Sequence, residues 1–282
     1  MRCAVFTVDV DRDVNLPEKG RYGAISKPCI NGDCAPRFSS ARMGLELLVD
    51  LMDELGIEGT FFLEGDTLRA IVKNVDVRGL LKRHEVASHG ICHEDLTGED
   101  TGICMTDLDM ALLLEDSVAV VRDICGRRPM GFRAPYLHID QRGLRMLAKM
   151  GFLYDSSRVK NIEKGTIRPW KIEGRLLEMP IASGIDQAGN RIASYFWPMH
   201  EGKRRARDYC ELASSVKEGA LVYATHSWHV VETYEKGRMG KADIVKNLAD
   251  VRKVLEGVMD SGMGFVTLEH LARDMEGMEC TK

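Results

Sequence analysis

Cys3-Ala4-Val5-Phe6-Thr7-Val8-Asp9-Val10-Asp11 decides how the rest of the chain is read. The short apolar run reads as a buried strand, and it ends in two carboxylates two residues apart. Side chains two apart along a strand point the same way. Adjacent carboxylates cannot both ionise cheaply unless a cation separates them or one keeps a proton. Asp9 and Asp11 can therefore divide the work, one ligating a metal and the other staying free as a base. A solvated acidic turn, continued by Asp13, is the plain alternative.

The same pattern recurs outward from this segment. Apolar runs at 59–63, 84–88, 130–133, 152–154, 220–225 and 265–266 predict strands. Amphipathic stretches at about 41–55, 66–83, 105–125, 140–150, 203–218, 241–261 and 270–275 predict helices. Residues 160–195 read as strands and turns, and about 12–40 as a loop insertion. Alternating strands and helices predict an α/β fold with a parallel sheet. Asp9, Asp11, Ser88, His89, Arg133, Asp155 and His226 gather at the C-terminal ends of strands. That edge carries the site in a β/α barrel and in an open doubly wound sheet alike. No glycine-rich nucleotide motif follows the first strand. No repeat or linker divides residues 1–282, so a single domain is expected.

Composition narrows the function classes. The chain has 282 residues, 44% hydrophobic and 29% charged, enough for a large core without staples. Its 39 basic and 43 acidic residues give a net charge of −4, which excludes a basic nucleic-acid footprint and weighs against a polybasic membrane surface. No apolar window is long enough to span a membrane. The first apolar run stops at Asp9, too short for a secretory signal, and a cytoplasmic protein is expected. Cysteines stand at 3, 29, 34, 92, 104, 125, 210 and 280 with no C-x-x-C. Free thiols in a reducing compartment are expected, with a loop disulfide or metal clip at Cys29/Cys34 as the alternative.

Further chemistry-bearing residues follow. His89 and His93 are four apart, so on a helical turn they share a face and can reach one cation. A third ligand must come from elsewhere, and Asp11 is the candidate. Cys92, between the histidines, is expected to point away. Arg133 could hold a carboxylate ionised, and the amide of Tyr136, after Pro135, could face the site. A surface arginine on a structural turn is the alternative. His226, at a strand end, is the general-acid candidate, with His229 in reserve. Trp228 could pack on a sugar face or in the core. Asp155-Ser156-Ser157 either orients another group or caps the next segment. His84, His138, His200 and His270 read as structural.

Taken in order, Thr7-Val8-Asp9-Val10-Asp11, Thr60-Phe61-Phe62, Ser88-His89-Gly90-Ile91-Cys92-His93, Arg133-Ala134-Pro135-Tyr136, Tyr154-Asp155-Ser156-Ser157 and the strand ending at His226 resemble the motifs of the polysaccharide deacetylase family (the NodB homology domain, carbohydrate esterase family 4). The resemblance covers residues about 3–229. It implies a distorted (β/α) barrel of about seven parallel strands. It also implies one divalent metal ion, zinc before others, held by Asp11, His89 and His93. Asp9 would be the general base with Arg133 beside it, His226 the general acid, and the Tyr136 amide an oxyanion donor. The commonest first motif in that family is T-F-D-D-G. The spaced D-V-D-R-D here is more similar to intracellular peptidoglycan-deacetylase-like proteins and lipid-linked aminosugar deformylases. For the family's tryptophan motif, which has no clear match, Trp170 and Trp197 are the two candidates. The expected function is hydrolysis of an N-acyl group, N-acetyl before N-formyl, from an amino sugar or related small amide. Ureide hydrolysis, a non-catalytic carbohydrate-binding module, and other metal chemistry drawing in Cys29, Cys34 or Cys92 are the alternatives. The expected partner is a small-molecule or carbohydrate substrate, with no nucleic acid and no membrane span. The exposed-looking insertions leave room for a homo-oligomer.

Overall fold

The structure is a computed structural model that describes residues 2–279; Cys280 lies outside them. The first strand, Arg2–Val10, is buried from Cys3 onward because it is central. Thr60–Leu63 pairs parallel on one side and Glu218–His226 parallel on the other. A strand covered on both faces has no need of alternation, which accounts for its unbroken apolar sequence.

Parallel pairing continues outward in both directions. On one side come Glu85–Ser88, Gly131–Phe132, Tyr154–Asp155 and Leu176–Glu178. On the other, Ile181–Ile185 follows Glu218–His226. The two end strands are separated in the chain only by Met179 and Pro180. Proline has no N–H to give a ladder, and the run changes partner there. Met179 donates to the Asp155 carbonyl (2.8 Å), and Ile181 to that of Arg158 (2.9 Å). One bent run thus joins both ends of the curled sheet. Counted once, it makes seven parallel strands along this path among the described residues, the number expected, with Val159–Asn161, Thr166–Ile167 and Gly264–Phe265 as short parallel additions beside it. Trp170–Glu173 and Arg191–Ala193 extend the ends as antiparallel arms.

Odd-numbered residues of the first strand face inward. Cys3 and Val5 pack with Phe62, Tyr154, Leu177 and Met179. Thr7 and Asp9 continue the same face towards the C-terminal mouth. The helix Leu268–Glu279 covers the opposite end: Leu268 donates to the Thr60 hydroxyl (3.0 Å) and Glu269 to the Glu85 carboxylate (2.9 Å). Ala4, Phe6, Val8 and Val10 face outward onto Leu45, Leu48 and Met52 of the helix Ser39–Leu55. That helix comes close to the strand carrying His226. A Cβ on Gly44 would lie 1.8 Å from the Ser227 carbonyl oxygen, so only glycine fits.

Some boundaries differ from the sequence reading. The expected helix at 66–83 is two pieces, Gly65–Ile71 and Val77–Leu80. Asp76 interrupts it by accepting from Gly79 N–H (3.0 Å) as the cap of the second piece. The expected helix at 203–218 is shorter, Ala206–Ser215, preceded by a single turn at Trp197–His200. The segment at 12–40 is better anchored than its composition suggests. It forms a small ladder between Asn15–Leu16 and Ile25–Ser26. Asp13 is no solvated acid: it accepts from the amides of Ser40 (3.0 Å) and Ala41 (2.7 Å), at the N-terminus of Ser39–Leu55. Cys29 and Cys34 are free thiols, as are the other five described cysteines, so no disulfide ties this loop.

Candidate active site

Asp9 is the last inward-facing residue of the first strand, and Arg133 meets it from the end of Gly131–Phe132. Arg133 is completely buried. Its Nη1 donates to Asp9 Oδ1 (2.7 Å) and to the Thr7 hydroxyl (2.9 Å). Its Nε and Nη2 donate to the carbonyl and hydroxyl of Ser156 (3.0 Å each). The guanidinium also lies over the Phe62 ring, 4.2 Å from its centre. A surface arginine is therefore excluded. Asp155-Ser156-Ser157 does both things its sequence allowed. Ser157 Oγ donates to Asp155 (2.7 Å) and accepts from the Ala134 amide (2.8 Å), closing its own turn and fixing the one that follows Arg133.

Asp11, His89 and His93 converge beside this pair. All three are buried, and one ligand atom from each falls within 4.8 Å of the others. The route to this convergence is not helical. Gly90 has φ +74° and His93 φ +55°, so His89–His93 is an irregular turn. A Cβ on Gly90 would lie 2.4 Å from Glu94 Oε2, which accepts from Ile91 N–H (3.1 Å) to hold the turn. His89 Nδ1 bonds the Arg133 carbonyl (2.7 Å), which leaves Nε2 for a cation. His93 Nε2 is 3.3 Å from Asp11 Oδ2. Asp11 Oδ1 and His93 Nδ1 are buried without a hydrogen-bond partner, as atoms awaiting a ligand would be. Burial, then the neighbouring Asp9, pushes the Asp11 carboxyl well up, and burial pushes both histidines down. A cation reverses that balance, so the donor set fits a divalent metal. Cys92 is not part of it: its Sγ lies against Gly23, where a Cβ would be 2.6 Å away.

His226 pairs with Asp9 across the central ladder, and Ser227 N–H donates to the Asp9 carbonyl (2.9 Å). Its Nε2 is 3.7 Å from Asp11 Oδ2. Trp228 stacks on the His226 ring at 5.1 Å, and Trp197 meets it edge-on at 5.4 Å. Of the two tryptophan candidates, Trp197 is thus at the site. Trp170 lies on an edge strand under Lys160. Burial lowers His226 to about 3. His229 is committed elsewhere, its Nε2 bonding Glu201 (2.7 Å). The turn after Arg133 puts Tyr136 at φ +58°, with its ring 4.5 Å from that of His93. Leu137 and His138 N–H groups close this turn onto Ala134 and Pro135 carbonyls, leaving the Tyr136 amide outside those bonds.

The remaining histidines are placed as structural groups. His200 bonds Asn247 and Thr225, His84 accepts from Gly59 N–H (3.3 Å), His138 lies beside Asp95, and exposed His270 pairs with Asp274. Two residues at the site escaped the sequence reading. Asn15 donates to Asp11 Oδ2 (2.5 Å), and the Tyr195 hydroxyl bonds His226. Neither sits in a periodic element, so only tertiary folding brings them in.

Comparison with known proteins agrees with this geometry. Residues 41–154 match the family model for polysaccharide deacetylase. The peptidoglycan deacetylase-like protein FGM2 of Gibberella zeae is 33% identical over 138 residues, covering 48% of this chain and 38% of that protein. A Helicobacter pylori peptidoglycan deacetylase is 27% identical over 152 residues, covering 54% and 48%. The chain spans less than half the length of either relative. A Mycobacterium smegmatis protein assigned to the polysaccharide deacetylases superposes with a TM-score of 0.63 at 20% identity, over 98% of this chain and 91% of that one, a likeness of fold. Motif order, the family-model match over residues 41–154 and the fold together make this chain similar to the polysaccharide deacetylases.

Proposed function

We propose that this protein is a hydrolase that removes an N-acyl group, N-acetyl before N-formyl, from an amino sugar or related small amide. The observation that carries the reading is the division of labour at the mouth. Asp11, His89 and His93 form a buried ligand set with unpartnered atoms, while Asp9, two residues from Asp11, is held separately by Arg133. A divalent ion on that set, zinc first, would supply Lewis acidity towards the amide carbonyl and towards water.

The chain's own groups do the rest. Asp9, held and oriented by Arg133, takes the proton of the attacking water. The Tyr136 N–H donates to the oxyanion of the tetrahedral intermediate. His226, once it has taken up the proton that its burial disfavours, gives it to the leaving nitrogen as the C–N bond breaks, releasing the amine and acetate or formate. Residues 1–282 act as one catalytic domain, with the 12–40 insertion bordering the substrate path. The net charge of −4 fits a neutral carbohydrate partner rather than nucleic acid. Among the described residues no helix is long and apolar enough to cross a membrane. Seven free thiols support a cytoplasmic setting.

The test is metal analysis of the wild type and His89→Ala, with a screen of N-acetyl and N-formyl amino sugars and small ureides for released acetate, formate or amine. Expected are near-stoichiometric metal in the wild type, its loss in His89→Ala, and acyl release from an amino sugar. Full metal in His89→Ala would overturn the ligand set. Glycan binding without turnover would favour the binding-module reading.

A further inference from the structure

The strand that ends at His226 is flanked by a segment with no motif of its own. Ala224 N–H donates to the Ser194 carbonyl (2.9 Å), and Phe196 N–H to that of Ala224 (2.8 Å). Tyr209 Oη donates to the Tyr195 carbonyl (3.0 Å). These bonds fix the Tyr195 backbone beside the strand. Its phenol oxygen then lies 2.7 Å from His226 Nε2 and 3.0 Å from Nδ1.

The other neighbours of the His226 ring do a different job. Trp228 stacks on it at 20° between planes, and Trp197 stands edge-on at 80°. Flat contacts of this kind fix the plane of an imidazole. They do not distinguish the ring from its flipped form, in which each nitrogen exchanges place with a carbon. Only a hydrogen bond makes that distinction, since the flipped ring would turn carbons towards the donor. Among the described residues the hydrogen bonds to this ring come from Tyr195 alone. Burial holds the phenol well above its ordinary pKa, so it remains an O–H donor.

We infer that Tyr195 is a positioning residue that selects the flip state of His226, and so aims the ring at the leaving nitrogen. The inference rests on the reading of His226 as proton donor. Tyr195→Phe keeps the ring and removes the hydroxyl. In metal-loaded protein with 15N-labelled histidine, the wild type is expected to show one set of His226 ring signals in long-range proton–nitrogen spectra. Tyr195→Phe is expected to shift or double those signals at unchanged metal content. On an acyl amino sugar, kcat should fall about 10- to 100-fold with KM within about twofold, the scale of a misaimed catalytic group. In a His226→Ala background the same change should cost nothing further. Unchanged ring signals, or an equal loss in that background, would overturn the inference. Full turnover in Tyr195→Phe beside an inactive His226→Ala overturns it alone. Full turnover in His226→Ala overturns the proton-donor reading as well.

Discussion

Two arginine–carboxylate pairs are buried in this protein, and they are built differently. Glu64 accepts from the Arg12 amide (2.7 Å), from Arg12 Nε (2.8 Å) and Nη2, and from the Thr67 hydroxyl (2.5 Å). Arg12 spends a further donor on the Ala24 carbonyl (2.6 Å). Both Glu64 oxygens are used up, and the pair pins the start of the 12–40 segment to the strand Thr60–Leu63. At the other pair four of the arginine's five N–H groups are engaged, while the carboxylate takes a single bond from it. Arg133 divides its donors among Ser156, Thr7 and Asp9, and Asp9 accepts a single one of them, on Oδ1. A carboxylate with every lone pair taken holds a structure together. One fixed by a single strong bond keeps an oxygen for a proton in transit.

The most forceful way to break the comparison is to neutralise Asp9. Asp9→Asn keeps the shape and one acceptor, and it should retain metal while turnover falls by about 10²–10⁴. Asp11→Asn, two residues away, should lose the metal itself. Metal analysis beside turnover separates the two, and equal metal loss in both would end the division of roles between these carboxylates.

How much of this was legible in the sequence follows from the same physics. The central strand and its two aspartates were readable because burial on both faces leaves an unbroken apolar run that ends abruptly in charge. His89 and His93 were readable as a pair, but for a helical reason that does not hold. Their convergence depends on positive φ at Gly90 and His93, which spacing alone does not report. The anchoring of Arg133 was not legible at all, since its partners Thr7 and Ser156 lie 126 and 23 residues away. Tyr195 and Asn15 were hidden for a similar reason. They lie in stretches without period, where backbone bonds to distant segments, not local pattern, set direction.

A milder perturbation sharpens the other side of the comparison. Glu64→Gln leaves the buried Arg12 guanidinium with the partly exposed Asp66 carboxylate, 3.6 Å away, as its remaining counter-charge, a change that costs about 3 kcal/mol in such pairs. The loss should register in denaturant unfolding, while turnover per folded molecule stays near that of the wild type. A variant that folds as well as the wild type but loses its turnover would place Glu64 with Asp9 rather than apart from it.

The smallest effect concerns a group saturated while neutral. Asn247 Nδ2 donates to the carbonyls of His229 and Val230 (3.0 and 3.1 Å), so its Oδ1 faces His200 Nδ1 (2.7 Å) and that nitrogen carries the proton. Nε2 is left to accept from the Thr225 hydroxyl (2.8 Å). Burial lowers His200 from the ordinary 6.5 to about 4. The unfolded chain therefore binds this proton first as pH falls. Its contribution to stability is complete above pH 6.5 and is lost progressively between 6.5 and 4. His200→Gln removes that titration at the cost of a fixed loss of hydrogen bonding. The stability gap between wild type and variant should then narrow by about 1 kcal/mol from about pH 7.5 to about pH 5.5, read from denaturant unfolding at each pH. The other buried histidines titrate in both proteins and cancel in the difference. A gap independent of pH would mean that His200 accommodates its second proton inside the fold, with the Thr225 hydroxyl turning to accept it, and saturation would then no longer mark a group as fixed in charge.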